Sequence, residues 1–481
     1  MIRKTDPSII QSYLEDSSNL QGGFAEGVYL PESEAEVVDI LKECSQKKIP
    51  LTISAGETGT TGGCIPFGGW ILGTERLNQL KTLDKKAKTA TLQPAVTLET
   101  LEKEIKKLGL LYPPDPTEQT AWLGGTVATN ASGSRSFRFG ATRDWVKRLK
   151  VILSTGEILE LKRNDKSQNL SRGNRGMTKD KLMRPNYEIP NIKTAAGYYS
   201  KPDMELIDLF IGAEGTLGIV TEIEVGLMPR FFDTFDLIAF FPTENDAVDF
   251  VEEARKKEAL TLEFFDKNSL ELLRSTYPKI PEKAGSAVYF ECELTPESGL
   301  SYLDEWGKLL EKHKASLDDA WLGMNDKQKQ ELKDFRHAMP EHINEEFKKH
   351  NTIKFASDIA VPDAKFREML NFYTSTLIPL TSYLFFVKFG HIGQNHLHVN
   401  LVPKRPDDVP LAQETIMKFV KKAVSLGGTC SAEHGIGKIK HPYLREMFGE
   451  AEIMEMVRIK KHFDPAGILN QGNLFPKELL Q

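Results

Sequence analysis

The chain runs to 481 residues, more than one hydrophobic core ordinarily organises, so two or three domains are expected. An apolar fraction of 40% against 27% charged residues is that of a soluble globular protein. A formal charge of -6 lacks the basic excess that nucleic-acid binding needs.

Basic residues are interleaved with acidic ones, as in LEKEIKKLG, the pattern of a solvated helix face. The N-terminal MIRKTDPSIIQSYLED has no apolar stretch long enough for a signal peptide, and no segment is long and apolar enough to span a bilayer. Cys44, Cys64, Cys292 and Cys430 are scattered without a CxxC pair or iron–sulfur spacing, so reduced thiols and a cytoplasmic location are expected.

Between about residues 25 and 230, short β-branched runs alternate with amphipathic helices. Glu32 to Lys47 has helical spacing, with Val37, Ile40, Leu41 and Cys44 on one side, and IPLTIS follows as a strand. TATLQPAVT alternates like a strand, and LETLEKEIKKLG reads as a helix closed by Gly109. WVKRLKVILSTGEILELKR reads as two strands about a Thr155-Gly156 turn. Asn164 to about Lys201 is polar and reads as a long surface excursion, after which LIDLFIGAEGTLGIVTEIEVGLMP restores the core pattern.

After Pro229, FDTFDLIAFF, LTLEFFD, SAVYFECEL, TIKFASDIAV and YLFFVKFGHI read as strands. Helices such as ENDAVDFVEEARKKE and GLSYLDEWGKLLEKH lie between them, which predicts an α+β domain with an antiparallel sheet. From about Ala432 the chain reads as helical again, through EAEIMEMVRIKKHF.

Three glycine-rich segments sit in the first half: Ser54 to Pro66, Tyr112 to Gly140 and Gly212 to Val225. The first follows a strand and lets backbone N–H groups approach an anion, yet it is neither GxGxxG nor GxxxxGK[ST]. An ordinary tight turn competes with a phosphate cradle there. In the second, the Gly124-Gly125 pair and the Asn130–Gly133 turn permit close approach to a flat ligand. A packed turn is the alternative for each, but all three together request close backbone approach repeatedly.

All ten histidines fall after residue 312. His391 and His398 bracket a turn, His396 and His398 alternate on one strand face, and Glu433-His434 follow in a second turn. Imidazoles with one carboxylate suit zinc or another divalent transition metal, and three protein ligands leave positions open for substrate. Hydrogen-bonded histidines without a metal are the competing reading. Adjacent Glu433 and His434 must point apart, so one can ligate while the other faces substrate.

These segments, in this order and at these separations, resemble the FAD-binding vanillyl-alcohol oxidase / p-cresol methylhydroxylase family. More narrowly they are similar to its D-lactate, glycolate and D-2-hydroxyglutarate dehydrogenase branch, from about Leu30 to Phe475. The resemblance implies an α+β protein: a two-subdomain FAD-binding domain over residues 1–228, an α+β cap with an antiparallel sheet over 229–430, and a C-terminal helical segment over 431–481 returning to the FAD domain.

It further implies that Ser54, Ala55, Gly56, Glu57, Thr58, Gly59 and Gly62 hold the FAD pyrophosphate. Pro114, Asp115, Gly124, Gly125, Thr129, Asn130, Ser132, Gly133 and Gly140 would pass beside the flavin. Glu214, Gly218, Ile219 and Val220 would lie by the adenosine half, and Asn470 joins the expected FAD contacts. The family usually writes arginine and three glycines before the threonine of the first loop, where this chain has Ser54, Ala55, Gly56 and Glu57. A carboxylate at Glu57 repels a pyrophosphate unless it points away. No histidine occurs in the first half, so noncovalent FAD is expected.

The dehydrogenase branch carries GHxGDGNLHxN and AEHGxG, matched here by GHIGQNHLHVN and AEHGIG. The resemblance makes His391, His398 and Glu433 ligands of a divalent metal (Zn, Mn or Fe), His434 the base and Asn400 a substrate contact. Gln394, Asn395 and His396 replace the family's Asp-Gly-Asn, so His396 either adds a ligand or stabilises the turn. Arg336 and Lys354, surface charges by default, match the substrate-binding arginine and lysine.

The implied reaction is oxidation of a small D-2-hydroxy acid to the 2-oxo acid, with hydride passing to the flavin N5. The rivals are an FAD transferase of the alkyl-dihydroxyacetonephosphate synthase type, whose His-His-Gly stands where Glu433-His434-Gly435 is here, and a non-catalytic flavoprotein subunit. Without a cysteine cluster there is no iron–sulfur relay, and the acceptor stays open among a quinone, an electron-transfer flavoprotein, a cytochrome and oxygen. Oligomeric state is equally open, with a homodimer one option.

Overall fold

The computed structural model describes residues 1–165, 184–296 and 299–481; the side chains of 299–301 are not described. The expected excursion from Asn164 to Lys201 therefore lies in part outside the described residues.

The first half forms two sheets. One has the strand order Ile2–Lys4, Gly27–Leu30, Trp70–Gly73, Leu51–Ser54, the last three parallel. Helix Glu34–Lys47 covers it. Ser33 caps its N-terminus by accepting from the Glu36 N–H, Glu34 and Glu36 sit in the first turn, and Lys47 sits in the last. The left-handed Lys48 ends it. Val37, Ile40, Leu41 and Cys44 form the fully buried stripe that the spacing predicts, packed on Tyr29, Leu51 and Leu72. Each full burial of this kind contributes about 1.5–3 kcal/mol.

The second sheet is antiparallel in the order Leu80–Asp84, Thr89–Leu92, Ile219–Gly226, Val146–Ile152, Ile158–Lys162.

The second half carries the larger antiparallel sheet. Its order is Trp321–Gly323, Asp233–Phe241, Ser286–Leu294, Ala259–Asp266, Leu384–Gly390, His396–Pro403, Phe355–Ala356, with Ile359–Ala360 also paired to His396–Pro403. Both faces are covered: Phe264 and Phe290 join the largest core, while Phe265 and Tyr289 pack with Phe335 and Met339 of the helices Asp326–His337 and Met339–Lys349. Every residue of Ala259–Asp266 is buried, including Glu263 and Asp266. The expected α+β architecture, with an antiparallel sheet in the second half, is thus the one the chain adopts.

Two local expectations need correction. TIKFASDIAV is not one strand: it splits into Phe355–Ala356 and Ile359–Ala360, because Ser357 and Asp358 turn their side chains to other partners. The helical tail does not begin at Ala432. Helices occupy His441–Phe448 and Glu450–Phe463, and the preceding loop takes positive φ at Gly435 and Gly437. The end of the chain returns to the first sheet, where Asn470 N–H donates to Leu51 and Asn470 Oδ1 accepts from Ile53.

Candidate active site

The hairpin between Leu384–Gly390 and His396–Pro403 creates the centre of the site. Strand alternation puts His396, His398 and Asn400 on one face, and the pairing of Phe389 with His398 fixes the register. Gly390 has φ +110, and a Cβ there would lie 2.7 Å from His398 Cδ2, so glycine is what lets the imidazole pack against the turn. Across the hairpin, Glu433 reaches His391 Nε2 at 3.3 Å and His398 Nε2 at 3.2 Å. His391 Nδ1 is held by Glu263 at 2.7 Å, and Glu263 is in turn paired with Arg336 Nε at 3.2 Å. Burial pushes the Glu263 carboxyl up, but Arg336 and His391 outweigh it and hold it down to about 2. His391 answers in the opposite sense: burial disfavours its charge, and Glu263 more than restores it.

The loop after Ser431 is organised by one buried carboxylate. Asp358 accepts from Ser431 Oγ at 2.7 Å, Lys440 Nζ at 2.7 Å and the backbone N–H groups of Glu433 and His434. It also lies 3.3 Å from His434 Nδ1. Burial opposes its charge, and Lys440 and His434 carry it well below the usual carboxylate range. Glu433 and His434 diverge as adjacent residues must: Glu433 is buried, while His434 is 36% exposed in its side chain and faces the cavity. Lys193 and Ser132 both donate to Glu433 Oε2. Glu433 stays well below its ordinary value because Lys193, His391 and His396 outweigh its burial.

A single cavity of about 1160 Å³ joins this cluster to the glycine-rich segments. That exceeds the roughly 300–1,000 Å³ of ordinary small-ligand pockets, so a cofactor and a small substrate fit together. Ala55, Gly56, Glu57, Thr58, Gly59, Gly124, Gly125, Thr129, Ser132, Glu214, Gly218, Ile219, Val220 and Asn470 line it. So do Arg336, Lys354, Asn400, His391, His398, Glu433 and His434.

Seven residues expected at the cofactor do not line it: Ser54, Gly62, Pro114, Asp115, Asn130, Gly133 and Gly140. Several of them have other partners. Ser54 Oγ donates to Glu57, Asn130 is the left-handed cap of helix Leu123–Thr129 and accepts from the Arg143 N–H, and Gly133 packs on the Asp115 backbone. Gly62 and Gly140 take positive φ, and Pro114 precedes the Asp115 contact.

The remaining backbone suits a flat, doubly charged dinucleotide. Gly59 and Gly125 line the cavity, and a Cβ on Gly59 would meet nothing within 4 Å while one on Gly125 would meet only Ala55 at 3.6 Å, so the backbone there leaves room for a close ligand. Glu214 is a partial exception: its carboxylate accepts from the N–H groups of Ile436 and Gly437, tying the third segment to the Glu433 loop. The metal expectation meets the same test. Two imidazole Nε2 atoms lie 3.2 and 3.3 Å from one Glu433 oxygen, with Glu263 behind His391 as an outer partner, a donor set that fits a divalent transition ion.

Glu57 gives a pH prediction. Burial raises its carboxyl from 4.5 to about 7, against the lowering hydrogen bond from Ser54. Glu214 is raised to about 7 by burial as well. Between about pH 4.5 and 7 the folded chain therefore keeps protons that the unfolded chain releases, so these groups make stability fall as pH rises through that window. The Glu57→Gln protein should show a flatter fall of Tm with pH. An unchanged slope would mean that Glu57 ionises as it does in water.

Comparisons with known proteins agree with this arrangement. Residues 25–162 match the FAD binding domain family, and 236–474 match the C-terminal domain of FAD linked oxidases. The D-lactate dehydrogenase of Anaerostipes hadrus is 31% identical over 467 residues, covering 92% of this chain and 88% of that protein. The chain belongs to the FAD-linked oxidase family. Glycolate oxidase subunit GlcD of Bacillus subtilis is 28% identical over 480 residues, covering 97% of this chain and 92% of that one. The solved 4-ethylphenol oxidase from Gulosibacter chungangensis shares the fold, with a TM-score of 0.69 at 16% identity over 99% of this chain and 95% of its own. The FAD-linked oxidases are enzymes, and this member is an FAD-dependent oxidoreductase. Among the described residues no helix is long and apolar enough to cross a membrane.

Proposed function

We propose that this FAD-linked oxidase oxidises a small D-2-hydroxy acid to its 2-oxo acid. Residues 1–228 would hold the cofactor, 229–430 would carry most of the substrate pocket, and 431–481 would return with the base. The observation that carries the reading is the continuous cavity, with glycine-rich backbone at one end and His391, His398, Glu433 and His434 at the other. The substrate class comes from the relatives, a D-lactate dehydrogenase and a glycolate oxidase subunit.

FAD supplies the hydride acceptor when bound. A divalent cation held by His391, His398 and Glu433 would supply Lewis-acid polarisation of the substrate oxygens. The chain's own groups do the rest. His434 takes the hydroxyl proton; Asp358, 3.3 Å from its Nδ1, orients the ring and stabilises the imidazolium. Lys354 offers an ammonium to the carboxylate and donates to Asn344 Oδ1 at 3.3 Å. Arg336 divides its guanidinium, with Nε on Glu263 and another nitrogen on His337, so it steadies His391 as well as meeting substrate. Asn400 borders the same space.

Anaerobic mixing with paired D- and L-2-hydroxy acids tests the reading. Several D-acids should bleach the flavin absorbance and their L-partners should not; exhaustive chelation should abolish the bleaching until a divalent metal is returned. Flavin that no 2-hydroxy acid reduces would overturn the proposal.

A further inference from the structure

His396 is the one histidine of the cluster without a settled role. Its side chain has no exposure, and neither ring nitrogen makes an aligned hydrogen bond. Nε2 lies 3.0 Å from Asp358 Oδ1 but off the hydrogen-bonding direction, and Nδ1 points to Glu433 Oε2 at 3.9 Å. A fully buried imidazole left with two unsatisfied nitrogens is costly, and such a group calls for a missing partner. Its ring centroid stands 4.5 Å from that of His398 and 5.2 Å from that of His391.

We propose that His396 is a fourth protein ligand, through Nδ1, of the divalent transition metal held by His391, His398 and Glu433. The inference rests on reading that cluster as a metal centre. One donor atom from each of the four residues falls within 4.8 Å of all the others. An ion with bonds of about 2.1 Å sets neighbouring tetrahedral ligand atoms roughly 3.4 Å apart. The edges from Glu433 Oε1, 3.2 Å to His398 Nε2 and 3.3 Å to His391 Nε2, match that spacing, and His396 Nδ1 stands 3.9 Å from Oε2 of the same carboxylate. Lys193 and Ser132 occupy Glu433 Oε2, which leaves Oε1, next to His398, as the freer oxygen.

The surroundings repeat the same device. Glu263 bonds the His391 nitrogen opposite Glu433, and Asp358 lies 3.0 Å from the His396 nitrogen opposite Glu433, within reach though not in line. A carboxylate behind a ligating imidazole fixes its tautomer and orientation. An alternative quartet, Asp358, His398, Glu433 and His434, is less suited, because Asp358 is already engaged by Lys440, Ser431 and two backbone N–H groups. His396 does not line the cavity, so it approaches from behind and leaves the ion's cavity-facing positions open to substrate. Three imidazoles and one carboxylate are a nitrogen-rich set, which favours zinc, cobalt or iron over manganese.

The test uses the FAD-loaded full chain stripped of metal and titrated anaerobically with Co(II). X-ray absorption of the native Co(II) protein should count three imidazoles; a count of two overturns the inference without needing any variant. His396→Asn should still bind one Co(II), with affinity lower by more than about tenfold and a changed visible spectrum. Unchanged affinity and spectrum in that variant would overturn the inference while leaving the metal centre standing. Glu433→Gln serves as the reference for that centre: if neither the native protein nor the variants bind Co(II), the metal reading itself fails and the inference with it.

Discussion

Replacing His434 by glutamine should leave FAD bound and slow substrate-driven flavin reduction by about 10²- to 10⁴-fold, the range of a lost general base. The loop should survive, because its geometry is set through the backbone: the His434 N–H donates to Asp358 at 3.0 Å, and Ser431 Oγ bonds both Asp358 and the Gly435 carbonyl. The His434 ring itself stacks beside His398 with centroids 5.4 Å apart and opens on the cavity. Glutamine retains polarity there but accepts no proton at neutral pH. Stopped-flow bleaching at saturating substrate, with FAD content measured alongside, separates the two effects. A rate within about tenfold of native would place the base elsewhere.

Much of the site was legible where a period exposes it. Alternation along HLHVN puts His396, His398 and Asn400 on one side of a strand whatever the sheet around it, and the helix Glu34–Lys47 follows from its apolar spacing and Ser33 cap. The supporting charges have no such period. Glu263 carries a signal in hindsight: a carboxylate inside the apolar run LTLEFFD is costly unless it has a partner, and here the partners are His391 and Arg336. Asp358 interrupts an apolar run in the same way. Lys193 had no such signal, lying in polar sequence that reads as surface, yet it is buried against Glu433. Its partner is 240 residues away, and only tertiary structure relates the two. The cofactor residues divided for a similar reason. Glycine richness marks where backbone bends or approaches closely, but does not say whether a ligand or another strand is what it approaches, as Gly59 and Gly133 illustrate.

Asp358 should be the most damaging single position for stability. Asp358→Ala strands the buried Lys440 ammonium, which among the described residues keeps only the Ser431 hydroxyl at 3.0 Å, and frees the N–H groups of Glu433 and His434. Breaking a buried pair from one side costs about 3–5 kcal/mol, and in a chain of this size a Tm lower by roughly 3–5 °C is expected. Adding Lys440→Met removes the stranded charge with its partner, so the double variant should regain a measurable part of the lost Tm. The rate of flavin reduction should not return with it, because His434 still lacks the carboxylate that orients its Nδ1. Differential scanning calorimetry with parallel stopped-flow reads both quantities. Recovery of the rate together with Tm would mean that Asp358 supports the fold alone and that His434 is oriented by other groups.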